Sequence, residues 1–348
     1  MDWSAAVRAG QRFAPTGPAV SPAQAAQAVD ELREFSRRAE LIVRETTGLG
    51  VGLPVADADV VDRLRWIAST AEGMALLTAP LTDRLAGRVS AAGRATAGAQ
   101  IGVVLGFLSG RVLGQFDPLL GQGDASTGTG SGAGTGTGVG RLVLVAPNIM
   151  KVERELKVEP ADFRMWVCLH ESTHRLQFTA VPWLRDHFVG QVAEFGAAAD
   201  IDSAELLGRM VRALRGGRQP GQSWIEHMQT PGQRAVFDRL MALMSLLEGH
   251  ADHVMDAVGP RVVPTVAAIR TAFSARRRKG RGPLDRLIRT LLGMDMKMSQ
   301  YVKGEAFVSQ VVSRVGMEGF NTVWSSPETL PSRAEISDPD GWMTRVLR

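Results

Sequence analysis

This chain has very little cysteine and few aromatic residues. Its 348 residues include one cysteine, one tyrosine and six histidines. A single cysteine excludes an internal disulfide and is typical of a reducing compartment, so we expect a cytoplasmic protein in which Cys168 is a buried packing residue. The first residues also lack a basic segment followed by an apolar core, and we therefore expect no secretion signal.

Concentrated charge and long hydrophobic runs are also missing. The net formal charge is +4, and the only dense basic run, residues 276–281, has no interleaved aromatic residues. Such a run is typical of a solvated loop between helices rather than of a nucleic-acid interface. The uncharged stretch at residues 95–110 is shorter than the roughly 20 apolar residues of a membrane helix. We expect neither a specific nucleic-acid partner nor a membrane span, and the oligomeric state stays open.

Composition predicts a mainly α-helical protein with a large core. Apolar residues make up 45% of the chain, and alanine, leucine and arginine, which favour helices, are abundant. We divide the chain into an N-terminal helical region at residues 1–120, a flexible glycine- and threonine-rich insertion at 121–140, and a catalytic region at 141–348. The insertion has no lysine, which disfavours a phosphate-binding loop. The first and last regions can also pack as one compact unit.

The most informative motif is His170-Glu171-Ser172-Thr173-His174, which reads H-E-x-x-H. On a helix, residues four apart lie on one face, so both imidazoles can reach a single tetrahedral Zn²⁺ ion. Glu171 would then lie beside the open coordination position. There it can act as the general base that accepts a proton from water and as the acid that returns it to a leaving amine.

The surroundings of this motif favour a strand followed by a helix. Residues 141–146 form a β-branched apolar run that predicts a strand ending in a turn at Pro147. Pro160 is placed as the first residue of a helix, and residues 161–178 contain no glycine or further proline. His170, His174 and Gln177 share one stripe of that helix. The fold class we expect is therefore a zincin-like one, mainly α with a small β element before the active-site helix.

The third metal ligand is predicted within a second helix, at residues 235–258. Glu248 and Asp252 are four residues apart and share a face, whereas His250 lies about 200° from Glu248 around the helix. We assign Glu248 to the metal and Asp252 to the N–H of a ligand histidine. His250 is the alternative ligand, because zinc accepts His or Glu at this position. His253 is expected to pack locally, and His187 and His227 to be ordinary histidines.

Several blocks resemble a known family. They are the H-E-x-x-H motif, residues 244–256 with Glu248-Gly-His-Ala-Asp252, residues 293–301, and residues 324–331. Together they resemble the actinobacterial zincin-like metallopeptidases, a family associated by name with deazaflavin-coenzyme biosynthesis. The Glu-x-x-x-Asp core is similar to the second motif of gluzincins, whose third zinc ligand is glutamate. The resemblance implies a mostly helical, cytoplasmic zinc hydrolase, although 73 residues separate His174 from Glu248, more than in gluzincins such as thermolysin.

Two further features are assigned from the sequence. Tyr301, the sole tyrosine, lies four residues after Lys297 and is a candidate donor to the oxyanion of the transition state; local packing is the alternative. Five glycines recur every four residues and form a ridge that lets another helix approach closely. The metal helix, which is the one that carries the H-E-x-x-H motif, is a candidate neighbour. These glycines are Gly98, Gly102, Gly106, Gly110 and Gly114.

These observations predict a zinc-dependent metallohydrolase, most simply a peptidase acting on a peptide or protein substrate. The alternative is a catalytically silent, zinc-bearing binding or maturation protein. Glu171 favours the enzyme, because a structural zinc site has no use for a base beside the metal. A structural site is also usually closed by a fourth protein ligand.

Overall fold

The computed structural model describes residues 1–84, 90–121, 140–197, 231–278 and 294–348. The chain forms two compact units, each made of two segments. The first unit comprises Met1–Arg185 and His250–Gly280, and the second comprises Asp186–Gly249 and Arg281–Arg348. The N-terminal helices and residues 141–185 thus share one unit. The division at residues 121–140 stays a prediction, and residues 122–139 lie outside the described residues.

The structure confirms a mainly helical fold. The described helices are α1 Trp3–Phe13, α2 Pro22–Thr47, α3 Arg63–Arg84, α4 Ala91–Ser109, α5 Ala146–Leu156, α6 Pro160–Ala180, α7 Leu184–Ala197, α8 Pro231–Val258, α9 Val266–Arg278, α10 Met294–Phe320 and α11 Pro339–Val346. Helix α8 begins in the second unit and ends in the first. Helix α10 contains a break at Gly316, whose φ of 73° is left-handed.

A small sheet lies in the first unit. Its strands are β1 Asp59–Val61, β2 Gly114–Asp117 and β3 Arg141–Val145. Strand β3 is central, parallel to β1 and antiparallel to β2. The register pairs Val60 with Leu144 in one ladder and Gln115 with Val143 in the other. The apolar sequence of β3 fits this central position, because four of its five residues are buried.

Two sequence-based boundaries are wrong. The spacing of apolar residues predicts a helix at residues 59–77, but residues 59–61 form strand β1 and α3 begins only at Arg63. Pro147 does not end the strand in a turn; it lies in the first turn of α5, where its missing N–H costs nothing. In both cases a β-branched run and a helix follow each other without a loop, so periodicity alone could not separate them.

Helix α6, which carries the motif, is buried along most of its length. Pro160 occupies its first turn, as predicted, and Phe163, Cys168 and Leu169 are fully buried. The Cys168 thiol lies 3.8 Å from the carbonyl oxygen of Leu32 in α2. Cys168 is thus a packing residue, as expected. Burial raises the pKa of its thiol far above the usual range, which makes it a poor nucleophile.

Buried ion pairs fix α2 against its neighbours. Glu40 is 1% exposed and accepts hydrogen bonds from Arg44 on its own helix and from Arg175 on α6. Arg164 of α6 pairs with Glu153 of α5 through two hydrogen bonds of 3.0 and 2.7 Å. Because an unpaired charge is costly to bury, these pairs allow only a narrow range of α2 and α6 orientations.

The glycine ridge packs against the N-terminal helix, not against the metal helix. A Cβ built on Gly98 would lie 2.1 Å from the carbonyl oxygen of Asp2, and one on Gly102 would lie 2.3 Å from that of Ala6. Gly106 faces Gly10 in the same way. The ridge was recognised from the sequence, but its partner was not, since small residues show only that some backbone comes close.

Helix α4 is also the one helix among the described residues that is long and apolar enough to cross a membrane. Length and composition alone are weak grounds for a span, because core helices have the same properties. The backbone contact with α1 explains the glycines of α4, whereas only 22% of its most apolar stretch is buried.

Close backbone packing recurs in the second unit. A Cβ on Gly249 of α8 would lie 2.2 Å from the carbonyl carbon of Gly304 in α10, and one on Gly304 would lie 2.0 Å from the carbonyl oxygen of Ser245. The two helices therefore meet without intervening side chains. Phe307 and Trp342 pack edge to face beside this contact, with ring centroids 5.6 Å apart.

The glycine ridge gives a stability prediction. We expect Gly102→Ala to lower the free energy of unfolding by about 1–3 kcal/mol, because the added methyl overlaps Ala6. Gly190→Ala in α7 is the matched control: nothing lies within 4 Å of its Cβ position, so we expect a gain of about 0.5–1 kcal/mol. Urea denaturation followed by circular dichroism measures both. Equal stabilities of Gly102→Ala and wild type would contradict the packing.

Candidate metal centre

His170 and His174 face each other on successive turns of α6. Their Nε2 atoms are 3.2 Å apart, and their rings are nearly perpendicular at 87°. Two nitrogens that each lie 2.0–2.1 Å from a tetrahedral Zn²⁺ ion are separated by about 3.3–3.4 Å. The spacing of the two imidazoles therefore suits one shared metal ion.

Gln177 determines the tautomers of two histidines. Its Oε1 lies 3.0 Å from His174 Nδ1, and its Nε2 lies 3.0 Å from His250 Nδ1. An amide oxygen only accepts and an amide nitrogen only donates, so His174 Nδ1 carries a proton and His250 Nδ1 does not. His174 Nε2 is thereby left with a lone pair directed towards His170, as a metal ligand requires.

His250 is fully buried at the end of this hydrogen-bonded chain. Burial, together with the nearby His253 and His174, lowers the pKa of His250 to about 3. Its imidazole is neutral at physiological pH, with the remaining proton on Nε2. Gln177 thus lies between His174 and His250, and the choice between Glu248 and His250 as the third ligand stays a prediction.

One group of side chains among the described residues could hold a metal ion. His170, His174 and Glu248 each offer one ligand atom, and these atoms all lie within 4.8 Å of one another. Glu248 lies on α8, about half a turn before His250. His250 in turn contacts Gln177 of α6. All three side chains are half-buried. Two imidazoles and a carboxylate are a donor set that Zn²⁺ accepts, so these residues fit the predicted metal.

Glu171 lies under strand β2. It is 7% exposed, and its side chain lies directly against Gly114: a Cβ built there would be 2.6 Å from Glu171 Cγ and 2.9 Å from its Oε1. Only a residue without a side chain leaves room for the carboxylate here. The sequence placed Gly114 at the end of the glycine ridge, but the structure places it in β2, beside the candidate base.

The other predicted site residues are distributed as follows. Asp252 is half-buried, and none of the hydrogen bonds of the described residues joins its carboxylate to a histidine. Its assigned role stays a prediction. Tyr301 lies in α10, but its side chain is outside the described residues, as are all atoms of His227. His187 lies in the second unit and lines a cavity of about 500 Å³, as does Arg239. Burial and the positive charge of Arg239 lower the pKa of His187.

Gln177 and Gly114 are the two site residues whose roles sequence reasoning missed. Gln177 carried a signal, because it is three residues after His174 on the same stripe of α6. Gly114 carried none, since its contact with Glu171 depends on how β2 crosses the helix. Such contacts between distant segments are not encoded in local periodicity.

Comparison with known proteins shows the family of this chain. The profile of the zincin-like metallopeptidases matches residues 1–343. The chain belongs to this family. A solved structure titled "a putative hydrolase with a novel fold", from Chloroflexus aurantiacus, is similar to this zincin-like protein with a TM-score of 0.71 and 33% sequence identity. The alignment covers 100% of this chain and 99% of that one. The comparison of this chain with curated proteins found no match.

The hydrogen bond between His174 and Gln177 predicts an effect of Gln177 on metal affinity. Gln177→Leu removes the acceptor for His174 Nδ1–H, and we expect zinc affinity to fall by about 10- to 100-fold. Gln177→Glu keeps that acceptor and should recover most of the loss. Competition with a chromogenic chelator measures both affinities. Identical affinities for Gln177→Leu and wild type would contradict the role of Gln177.

The contact of Gly114 with Glu171 predicts a separate effect. In Gly114→Ala the new methyl displaces the carboxylate, so we expect hydrolytic activity to fall at least about tenfold while zinc content stays unchanged. Gly190→Ala controls for a general effect of alanine on the enzyme. Loss of zinc in Gly114→Ala, or full activity, would show that Gly114 does not position the base.

Proposed function

We propose that this protein is a zinc-dependent peptidase, with His170, His174 and Glu248 as the metal ligands and Glu171 as the general base. The observation that carries the proposal is the position of Glu171. A buried carboxylate follows the first ligand histidine and is held against Gly114, and three candidate ligand atoms lie together. Membership of the zincin-like family supports metal-dependent hydrolysis.

A bound Zn²⁺ ion supplies a Lewis acid that polarises the scissile carbonyl and acidifies water. The protein's own residues do the rest. Glu171 accepts the proton from the attacking water and delivers it to the leaving nitrogen. His174 is held in the correct tautomer by Gln177, and Gly114 leaves room for the carboxylate of Glu171. Tyr301 remains the candidate donor to the developing oxyanion.

Strand β2 favours an extended peptide as the substrate. Among the described strands it pairs only with β3, so its other edge has no strand neighbour there. Peptides bind such edges by adding a strand through main-chain hydrogen bonds. A chain bound along β2 would pass Gly114, and hence Glu171 beneath it. We place this activity in the cytoplasm, because the only cysteine is a buried free thiol.

Metal content tests the ligand set. We expect about one zinc per chain in wild type and in His250→Ala, and none in Glu248→Ala, because the carboxylate is the third protein ligand and His250 is not a ligand. Elemental mass spectrometry on tag-free protein measures this, with circular dichroism to confirm folding. The reverse pattern would make His250 the ligand. A zinc-free wild type would contradict the metal centre.

Peptidase activity tests the base. We expect Glu171→Gln to keep its zinc and to lose about 10²- to 10⁴-fold in kcat, because the amide is isosteric but cannot accept the proton. Glu45→Gln, at an exposed position of α2, is the matched control and should leave kcat unchanged. A screen with quenched fluorescent peptide libraries measures both. Zinc in wild type without any Glu171-dependent cleavage would favour the silent binding or maturation protein.

A further inference from the structure

A cavity of the first unit adjoins α6, the helix that carries the H-E-x-x-H motif. Its volume is about 380 Å³, and α2, β2, residues 53–56 and the C-terminal half of α6 contribute to its wall. The charged residues that line it are Glu40, Arg44, Arg175 and Arg185. Neither the metal ligands nor Glu171 line it, so the proposed reaction leaves this cavity unassigned.

The cavity has an excess of positive charge. Glu40 accepts hydrogen bonds from both Arg44 and Arg175, so one carboxylate faces two guanidinium groups. Their remaining described bonds go to neutral carbonyl oxygens, those of Leu53 and Pro54 for Arg44 and those of residues 56 and 57 for Arg175. The nearby Asp57 carboxylate is paired with exposed Arg37 at 2.6 Å. With Arg185, the lining carries about two uncompensated positive charges.

Two arginine N–H groups in this lining have no acceptor within the described part of the chain. They are the Nε atoms of Arg44 and Arg185, both shielded from solvent. Arg44 is 8% exposed as a whole. Buried donors are nearly always hydrogen-bonded, and a guanidinium presents its N–H groups in a fork that matches a carboxylate. The missing acceptor is therefore best supplied by an anion.

The rest of the wall is apolar. Phe116 of β2 and Phe178 of α6 stack with ring centroids 5.9 Å apart, and Pro54 and Pro182 adjoin them. A small inorganic anion would leave this surface without a partner. A carboxylate attached to an apolar or aromatic group would bury it and satisfy the arginines together.

The cavity lies on the same side of α6 as Glu171. Arg175 and Phe178 are four and seven residues after Glu171, which places them within about 40° of it around the helix and up to about 10 Å along it. Phe116 is likewise two residues after Gly114, on the same face of β2. About three extended peptide residues span that distance.

We propose that this cavity binds the carboxylate-bearing, apolar C-terminal residue of a short peptide substrate, two or three residues from the bond that is cleaved. This proposal rests on the proposed peptidase function, because it takes the bound peptide to be the substrate. The arginines recognise the carboxylate, and the Phe116–Phe178 pair packs against the side chain. The carboxylate of an acidic side chain has the same chemistry, and the test below distinguishes it from the carboxylate of a chain end.

Calorimetric titration of the purified full-length protein tests the proposal without using catalysis. The probes are N-acetyl-L-phenylalanine, its amide, N-acetyl-L-glutamic acid α-amide and inorganic phosphate. We expect the first to bind at least about tenfold more tightly than the others, because only it combines a terminal carboxylate with an aromatic group. Arg185→Gln should weaken it by at least about tenfold. Arg65→Gln, which removes an exposed arginine of α3, should not.

Three outcomes overturn the proposal. They are equal binding of acid and amide, tighter binding of phosphate, and an unchanged affinity in Arg185→Gln. Tighter binding of the glutamic acid probe overturns the assignment to a chain end. The variant Glu248→Ala separates this test from the proposed function: it should still bind N-acetyl-L-phenylalanine after losing its zinc. If N-acetyl-L-phenylalanine no longer binds to Glu248→Ala but still binds to Arg185→Gln, its carboxylate lies at the metal instead.

Discussion

The structure depends on one buried carboxylate, Glu40. It lies between Arg44 and Arg175 with 1% of its surface exposed, and it ties α2, α6 and residues 53–57 together. Removing one partner from a buried ion pair typically costs about 3–5 kcal/mol, because the other charge is left uncompensated. Arg175 follows His174 directly in the chain. The pairing that anchors α6 in the core therefore also fixes the rotation at which the two candidate ligand histidines emerge from it.

A second constraint is the close approach of backbones at three places. Glycines let α4 meet α1, let α8 meet α10 next to Glu248, and let β2 cross α6 above Glu171. Protein interiors are packed closely enough that one methyl group at such a contact must displace its neighbour. Gly249 thus belongs to the scaffold that carries the candidate ligand Glu248, and Gly114 to the scaffold that carries the candidate base Glu171.

Local patterns in the sequence were sufficient for the starts of two helices and for part of the site. Ser21 followed by Pro22 is a sequence pattern typical of a helix start, and a complete capping box begins α2 there; Pro160 predicted the start of α6. The i, i+4 spacing of His170 and His174 likewise placed both imidazoles on one face. The contact of Gly114 with Glu171 and the partner of the α4 ridge could not be predicted, because both join segments far apart in sequence. The hydrogen bond between Gln177 and His250 joins residues 73 positions apart, so the sequence alone could not predict it.

The central claim is that two imidazoles and one carboxylate form an open metal site beside a base. X-ray absorption at the zinc edge, measured on the wild-type protein, tests it most directly. The account predicts two imidazole ligands at about 2.0–2.1 Å with the remaining first-shell ligands oxygen and no sulfur. Three or more imidazoles with no oxygen ligand would contradict it, because His250 or His253 would then close the site and the metal would be structural.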